Sequence, residues 1–122
     1  MTKKWGATLA PVGPTNIGVF TIAPDCKIIL VGRPPLLFPF GEVAGEVTSA
    51  SIRDGYLTVE GTLIEGVAFP FGSPTFAAAP GPWNPTVGPD GRLVFRTCEI
   101  LSVRDGLVPL WNDPKIRFHE PV

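Results

Sequence analysis

Residues 42–65 read EVAGEVTSASIRDGYLTVEGTLIE, two runs of alternating character joined by Arg53-Asp54-Gly55. In the second run Leu57, Val59 and Leu63 fall on one face and Thr58, Glu60 and Thr62 on the other. That two-residue period is the pattern of a strand with one buried face. The first run carries Val43, Val47 and Ile52 with small residues between them. An Asp-Gly step between two such runs closes a hairpin, because glycine takes the positive φ of a tight turn without steric cost. The chain is therefore expected to be built on antiparallel strands.

Working outward, Arg92 to Val103 reads as a second long strand, entered from Pro89-Asp90-Gly91 and leaving through Arg104-Asp105-Gly106. Shorter candidates are Thr8 to Ala10, Val19 to Ile22, Lys27 to Val31 and Lys115 to Phe118. Roughly seven strands separated by turn residues predict an all-β fold, a small antiparallel β-barrel or sandwich with long Pro-rich loops. The 14 Gly and 15 Pro among 122 residues exclude much helix. The phrases Ser51-Ile52-Arg53-Asp54-Gly55 and Ser102-Val103-Arg104-Asp105-Gly106 resemble one another, and shared turn chemistry accounts for that without a duplication. The length fits one domain. Its expected layout is an N-terminal arm over residues 1–13 and a single β domain over 14–122, with a Pro-rich loop at 69–90.

That loop is read as a loop because proline cannot donate to a sheet ladder. It holds Phe69, Phe71, Phe76 and Trp83, aromatics that either fold back over the core or meet another chain. A second such stretch, Arg33 to Phe40, contributes Leu36 and Phe38. With Trp5 in the arm, these seven residues are the candidate contact residues for a protein partner; each tryptophan also has a place in its own domain's core as the plainer reading.

Net charge is −1, with ten Lys and Arg against eleven Asp and Glu. No basic stripe marks a nucleic-acid or anionic-membrane surface. The apolar runs Ile28 to Val31 and Leu36 to Phe38 are far shorter than the roughly 18 residues of a membrane span, and a soluble, unexported chain is expected. Cys26 and Cys98 sit in apolar runs and read as buried free thiols. His119 is the sole histidine, near the C-terminal end, where fraying is the default. Neither a Ser-His pair, a metal-ligand spacing nor a phosphate-binding glycine loop is visible, so no catalytic, cofactor or metal residues are assigned and no enzyme is expected. Glu42, Glu46, Glu60 and Glu65 read as charges on the solvent side of the hairpin.

Trp5-Gly6-Ala7-Thr8-Leu9-Ala10-Pro11-Val12-Gly13, Thr15, Pro34-Pro35-Leu36-Leu37, Ala44-Gly45-Glu46-Val47, Ile52-Arg53-Asp54-Gly55 and Val59-Glu60-Gly61 together resemble the N-terminal half of capsid-maturation-protease-type proteins of tailed phages infecting actinobacteria. The likeness covers roughly residues 5 to 63, with a weaker echo over Val108 to Ile116. Members that cleave proteins use a Ser nucleophile and a His base, the latter ahead of the Ala44-Gly45 region. This chain has Phe40-Gly41-Glu42-Val43 there, so protease activity is not carried over. The resemblance implies a compact β domain made in the host cytoplasm and located in the virion. In composition the chain also resembles the small head decoration proteins of tailed phages. The expected function is that of a capsid decoration or minor head protein, a homo-oligomer on the capsid surface that binds the major capsid protein, without nucleic-acid or membrane partners. The alternatives are a small-ligand or peptide-binding β-barrel, and a degenerate prohead-protease-like protein in which Ser49, Ser51 or His119 would matter.

Overall fold

The structure is a computed structural model describing residues 3–12, 16–17, 20–67, 72–79, 86–87, 91, 93–106 and 113–120. Among them are ten strands and no helix: β1 (Lys4–Pro11), β2 (Asn16–Ile17), β3 (Phe20–Leu30), β4 (Pro35–Leu37), β5 (Val43–Arg53), β6 (Tyr56–Leu63), β7 (Ser73–Ala79), β8 (Thr86–Val87), β9 (Leu93–Gly106) and β10 (Phe118–His119). They form one sheet of order β10-β1-β6-β5-β4-β9-β3-β2, with β7 and β8 paired to β9 off this path. The sheet is not closed, and its shape fits a β-sandwich or an open sheet.

The hairpin of residues 42–65 is present as β5 and β6, in register from Gly45 opposite Leu63 to Arg53 opposite Tyr56. Asp54 and Gly55 make its turn with φ of 51° and 81°. Positive φ at both central residues is the geometry whose twist matches that of the flanking strands. Leu57, Val59 and Leu63 are buried as their spacing predicts.

The all-β expectation holds, but the sheet is mixed rather than antiparallel. β3 and β4 both run parallel to β9, pairing Phe20 through Leu30 with Leu93 through Ile100, and Leu36-Leu37 with Val103-Arg104. Turn chemistry reports only on neighbouring strands, and these partners lie some sixty or more positions apart in the chain. The two short strands expected at Val19–Ile22 and Lys27–Val31 are one strand, β3, whose pairing with β9 shifts register between Ile22 and Lys27.

Two boundaries also differ from the sequence expectation. Within the arm expected over 1–13, Lys4–Pro11 is not free: as β1 it lies inside the sheet between β10 and β6 and buries Trp5, Ala7, Leu9 and Ala10. Nor is 69–90 wholly loop, since Ser73–Ala79 and Thr86–Val87 pair with β9. Pro74 fits because β7 bonds to β9 alone among the described strands, which leaves one side of the strand where a missing N–H breaks no ladder. Arg104-Asp105-Gly106 continues β9, with Gly106 opposite Ser73, where a turn was expected.

The core gathers around Trp5, which is fully buried. Its indole N–H donates to the Thr62 carbonyl at 3.2 Å, and its ring meets Phe118 edge-on at 5.9 Å between centroids. Leu9, Leu36, Leu57, Val59, Ile100 and Val103 complete it, with Phe38 and Phe76 packed against its margin. Cys26 and Cys98 are buried free thiols.

Candidate functional site

The sheet carries two surface features of different chemistry, at opposite ends of the β5–β6 hairpin. Ten residue steps separate Val43 from Arg53 on β5, roughly 30 Å at the rise of an extended strand.

At the turn end lies a recess of about 510 Å³. Its floor is the polar face of β1 and β6, with Thr8 opposite Thr58 in register. Its wall is the segment Asp113–Glu120, which several contacts hold against these strands. The Tyr56 hydroxyl donates to Asp113 Oδ2 at 2.7 Å, and the Lys115 N–H donates to Asp113 Oδ1 at 2.9 Å. The Thr8 N–H donates to the Arg117 carbonyl at 3.0 Å, Ile116 and Phe118 are buried, and β10 pairs with β1 at Gly6 and Ala7. The end of the chain expected to fray is thus anchored by both backbone and side chains.

His119 is set in this wall by three contacts. Its Nδ1 lies 2.8 Å from the Glu120 carbonyl, which only accepts, so Nδ1 carries a hydrogen. Its Nε2 lies 3.2 Å from the Thr8 hydroxyl, which can donate to the neutral ring or accept from the charged one. The ring also lies over Gly6, where a Cβ would come within 2.9 Å of it. The hydroxyl brought to the imidazole is that of Thr8, on the strand next to β10. Ser49 and Ser51 stand on β5, three strand spacings from β10, or roughly 14 Å.

Charge around the recess is partly spoken for. The Tyr56 hydroxyl beside Asp113 holds that carboxyl below its ordinary range, with the Lys115 N–H adding to the effect. The same hydrogen bond raises the Tyr56 hydroxyl, helped by burial and by the Asp113 charge. Lys115 Nζ sits 5.6 Å from the Tyr56 ring centroid. Arg53 pairs with Glu60 at 3.5 Å, as Arg33 pairs with Glu46 at 3.9 Å on the far part of the hairpin. Arg117 is exposed on the recess wall and has no ion-pair partner among the described residues.

At the other end, residues 38–42 turn back on themselves, with the Phe38 N–H donating to the Glu42 carbonyl at 2.8 Å and the Gly41 N–H to the Phe38 carbonyl at 2.9 Å. Gly41 takes φ of 93°. Phe40 is left at the tip, 91% exposed. Val43 and Ile64 stand beside the β4–β5 turn at 55% and 48% exposure, tied together by the Ile64 N–H donating to the Ala44 carbonyl at 2.9 Å. A shallow depression of about 230 Å³ opens between Val43, Glu46, Thr62 and Ile64.

Of the seven contact residues expected from sequence, Trp5 and Leu36 are fully buried and cannot serve as surface contacts in this fold. Their apolar runs are core faces of β1 and β4. Phe38 and Phe76 are half-buried against the core. Phe69, Phe71 and Trp83 lie outside the described residues. The exposed aromatic that sequence reasoning passed over is Phe40, and the sign available was its place before Gly41-Glu42, where a turn lifts the side chain off the sheet.

Among the described residues no three His, Cys, Asp or Glu side chains gather as a metal site, and no helix is long and apolar enough to cross a membrane. Comparison of the chain with known protein families, curated proteins and solved structures finds no match.

Proposed function

We propose that this chain is a structural protein of a tailed-phage head, a decoration or minor head protein that docks on the major capsid protein and steadies its lattice. The observation that supports this reading best is the end of the β5–β6 hairpin away from its turn, where Val43 and Ile64 line one shallow depression and Phe40, on the adjoining β4–β5 turn, is 91% exposed. Large apolar side chains grouped on a small domain are a cost in water that contact with another protein removes. An aromatic at a turn held by two backbone hydrogen bonds loses little freedom when it enters a partner's pocket. The setting comes from the sequence resemblance of residues 5 to 63 to the N-terminal half of capsid-maturation-protease-type proteins and from the chain's compositional likeness to head decoration proteins. In this reading the protein works as repeated copies on the shell, each contributing a rigid β body and an apolar point of contact.

The test is co-sedimentation of the purified protein with expanded capsids assembled from the major capsid protein of the same genome. Saturable binding at a fixed ratio to capsid subunits supports the reading. A chain that stays in the supernatant at every concentration contradicts it.

A second reading, a small-ligand-binding β protein, draws on the recess at the other end of the hairpin. Its size falls in the range of small-molecule sites, about 300–1,000 Å³.

A further inference from the structure

We propose that the recess between β1, β6 and the Asp113–Glu120 segment binds a small molecule through a phosphate group, with Arg117 as the principal anchor and Lys115 as the second. This site is separate from the apolar end of the hairpin, and it stands or falls independently of capsid docking.

The chain as a whole is slightly acidic, yet the recess gathers Arg53, Lys115 and Arg117 against Asp54 on its lining. Asp54 stays on the lining, while two neighbouring carboxylates are engaged elsewhere. Asp113 accepts from the Tyr56 hydroxyl and the Lys115 N–H, and Glu60 pairs with Arg53. The guanidinium of Arg117 is left without an ion pair among the described residues, on a backbone fixed by the Thr8 N–H. A planar guanidinium presents its N–H groups in a fork that matches two phosphate oxygens, and an ammonium adds a point charge. The Thr58 hydroxyl on the floor donates to the Tyr56 carbonyl and the Thr8 hydroxyl is engaged with His119, so the donors open to a ligand are those of Arg117 and Lys115. A volume of about 510 Å³ exceeds what one phosphate fills, so the ligand carries an organic group as well.

The recess has its own reporter. His119 is the only histidine in the chain and is on the lining, so its ring protons give a resolved NMR signal at the site. The experiment follows that signal at fixed pH and ionic strength while adding inorganic phosphate, phenyl phosphate, acetate or chloride. The expected result is a saturable shift with both phosphates, tighter for phenyl phosphate, and none with acetate or chloride. Arg117→Ala is expected to weaken phenyl phosphate binding by about tenfold or more, the loss of one charge-assisted contact, with an unchanged thermal midpoint. Arg117→Lys, which keeps the charge and loses the fork, is expected to fall between the two. The proposal is overturned if the phosphates give no saturable shift, if acetate or chloride matches them, or if Arg117→Ala binds as the parent chain does.

Discussion

At the scale of single residues, Trp5 decides how much of the chain folds as one unit. Its ring fills the space between β1, β6 and β10, and its N–H is satisfied at the Thr62 carbonyl. Trp5→Ala removes the largest buried side chain among the described residues and is expected to cost about 3–5 kcal/mol in denaturant unfolding, a large share of a small domain's stability. The Tyr56–Asp113 bond belongs to the same scale. Asp113 is depressed, so its contribution is complete above the ordinary carboxylate range near pH ~4 and is lost as pH falls through the depressed value. Tyr56 is raised, so its contribution is complete below pH ~10 and is lost as pH rises through the raised value. Tyr56→Phe is expected to move the Asp113 titration, followed by carboxyl NMR, upward toward the ordinary range. The two thiols give a third expectation. Burial pushes Cys98 up to about 12 and Cys26 up to about 11, with neighbouring negative charge adding to both. At pH ~8 the folded chain should then react with iodoacetamide roughly several hundredfold more slowly than the denatured chain, whose thiols titrate near pH ~8.5. Buried, strand-borne cysteines were legible from sequence because each sits in an apolar run. His119 was not legible as an anchored residue, since the contacts that hold it come from Thr8, more than a hundred positions away.

At the scale of elements, one tripeptide takes two shapes. Arg53-Asp54-Gly55 is a turn with positive φ at Asp54 and Gly55, while Arg104-Asp105-Gly106 is the last stretch of β9. The local chemistry is shared, so the difference comes from the partner: β7 pairs with the second copy and holds it extended. Gly55→Ala is expected to destabilise the fold by roughly 1–2 kcal/mol, the cost of placing a Cβ in the left-handed region, measured by thermal or urea unfolding. The β5–β6 hairpin was readable because period and turn residue agree within one short window. The parallel pairings of β9 with β3 and β4 were not readable, because no local signal encodes a partner that the chain reaches only after a long excursion. β7 was hidden for a related reason. Pro74 argues against an interior strand, and only the topology reveals a strand paired on one side.

At the scale of the molecule, the open mixed sheet separates two surfaces along one hairpin. The turn end is polar and recessed, bounded by Arg53, Lys115 and Arg117; the other end carries the exposed side chains of Phe40, Val43 and Ile64 beside those of Glu42 and Glu65. Such a body can sit on a protein surface by its apolar end while its recess stays open to solvent. Sequence reasoning looked for the contact in the Pro-rich stretches and at Trp5 and Leu36, because apolar residues beside prolines read the same whether they face a core or a partner. The structure sends Trp5 and Leu36 inward and leaves Phe40 outside. The most direct measurement is the affinity of the parent chain and of Phe40→Ser for expanded tailed-phage capsids, the partner proposed above, with near-identical unfolding curves as the check on fold. Saturable binding by the parent chain is expected, with a loss of about 2 kcal/mol, roughly thirtyfold, in the variant. Binding that is unchanged by Phe40→Ser, or absent in the parent chain, would contradict the proposed docking.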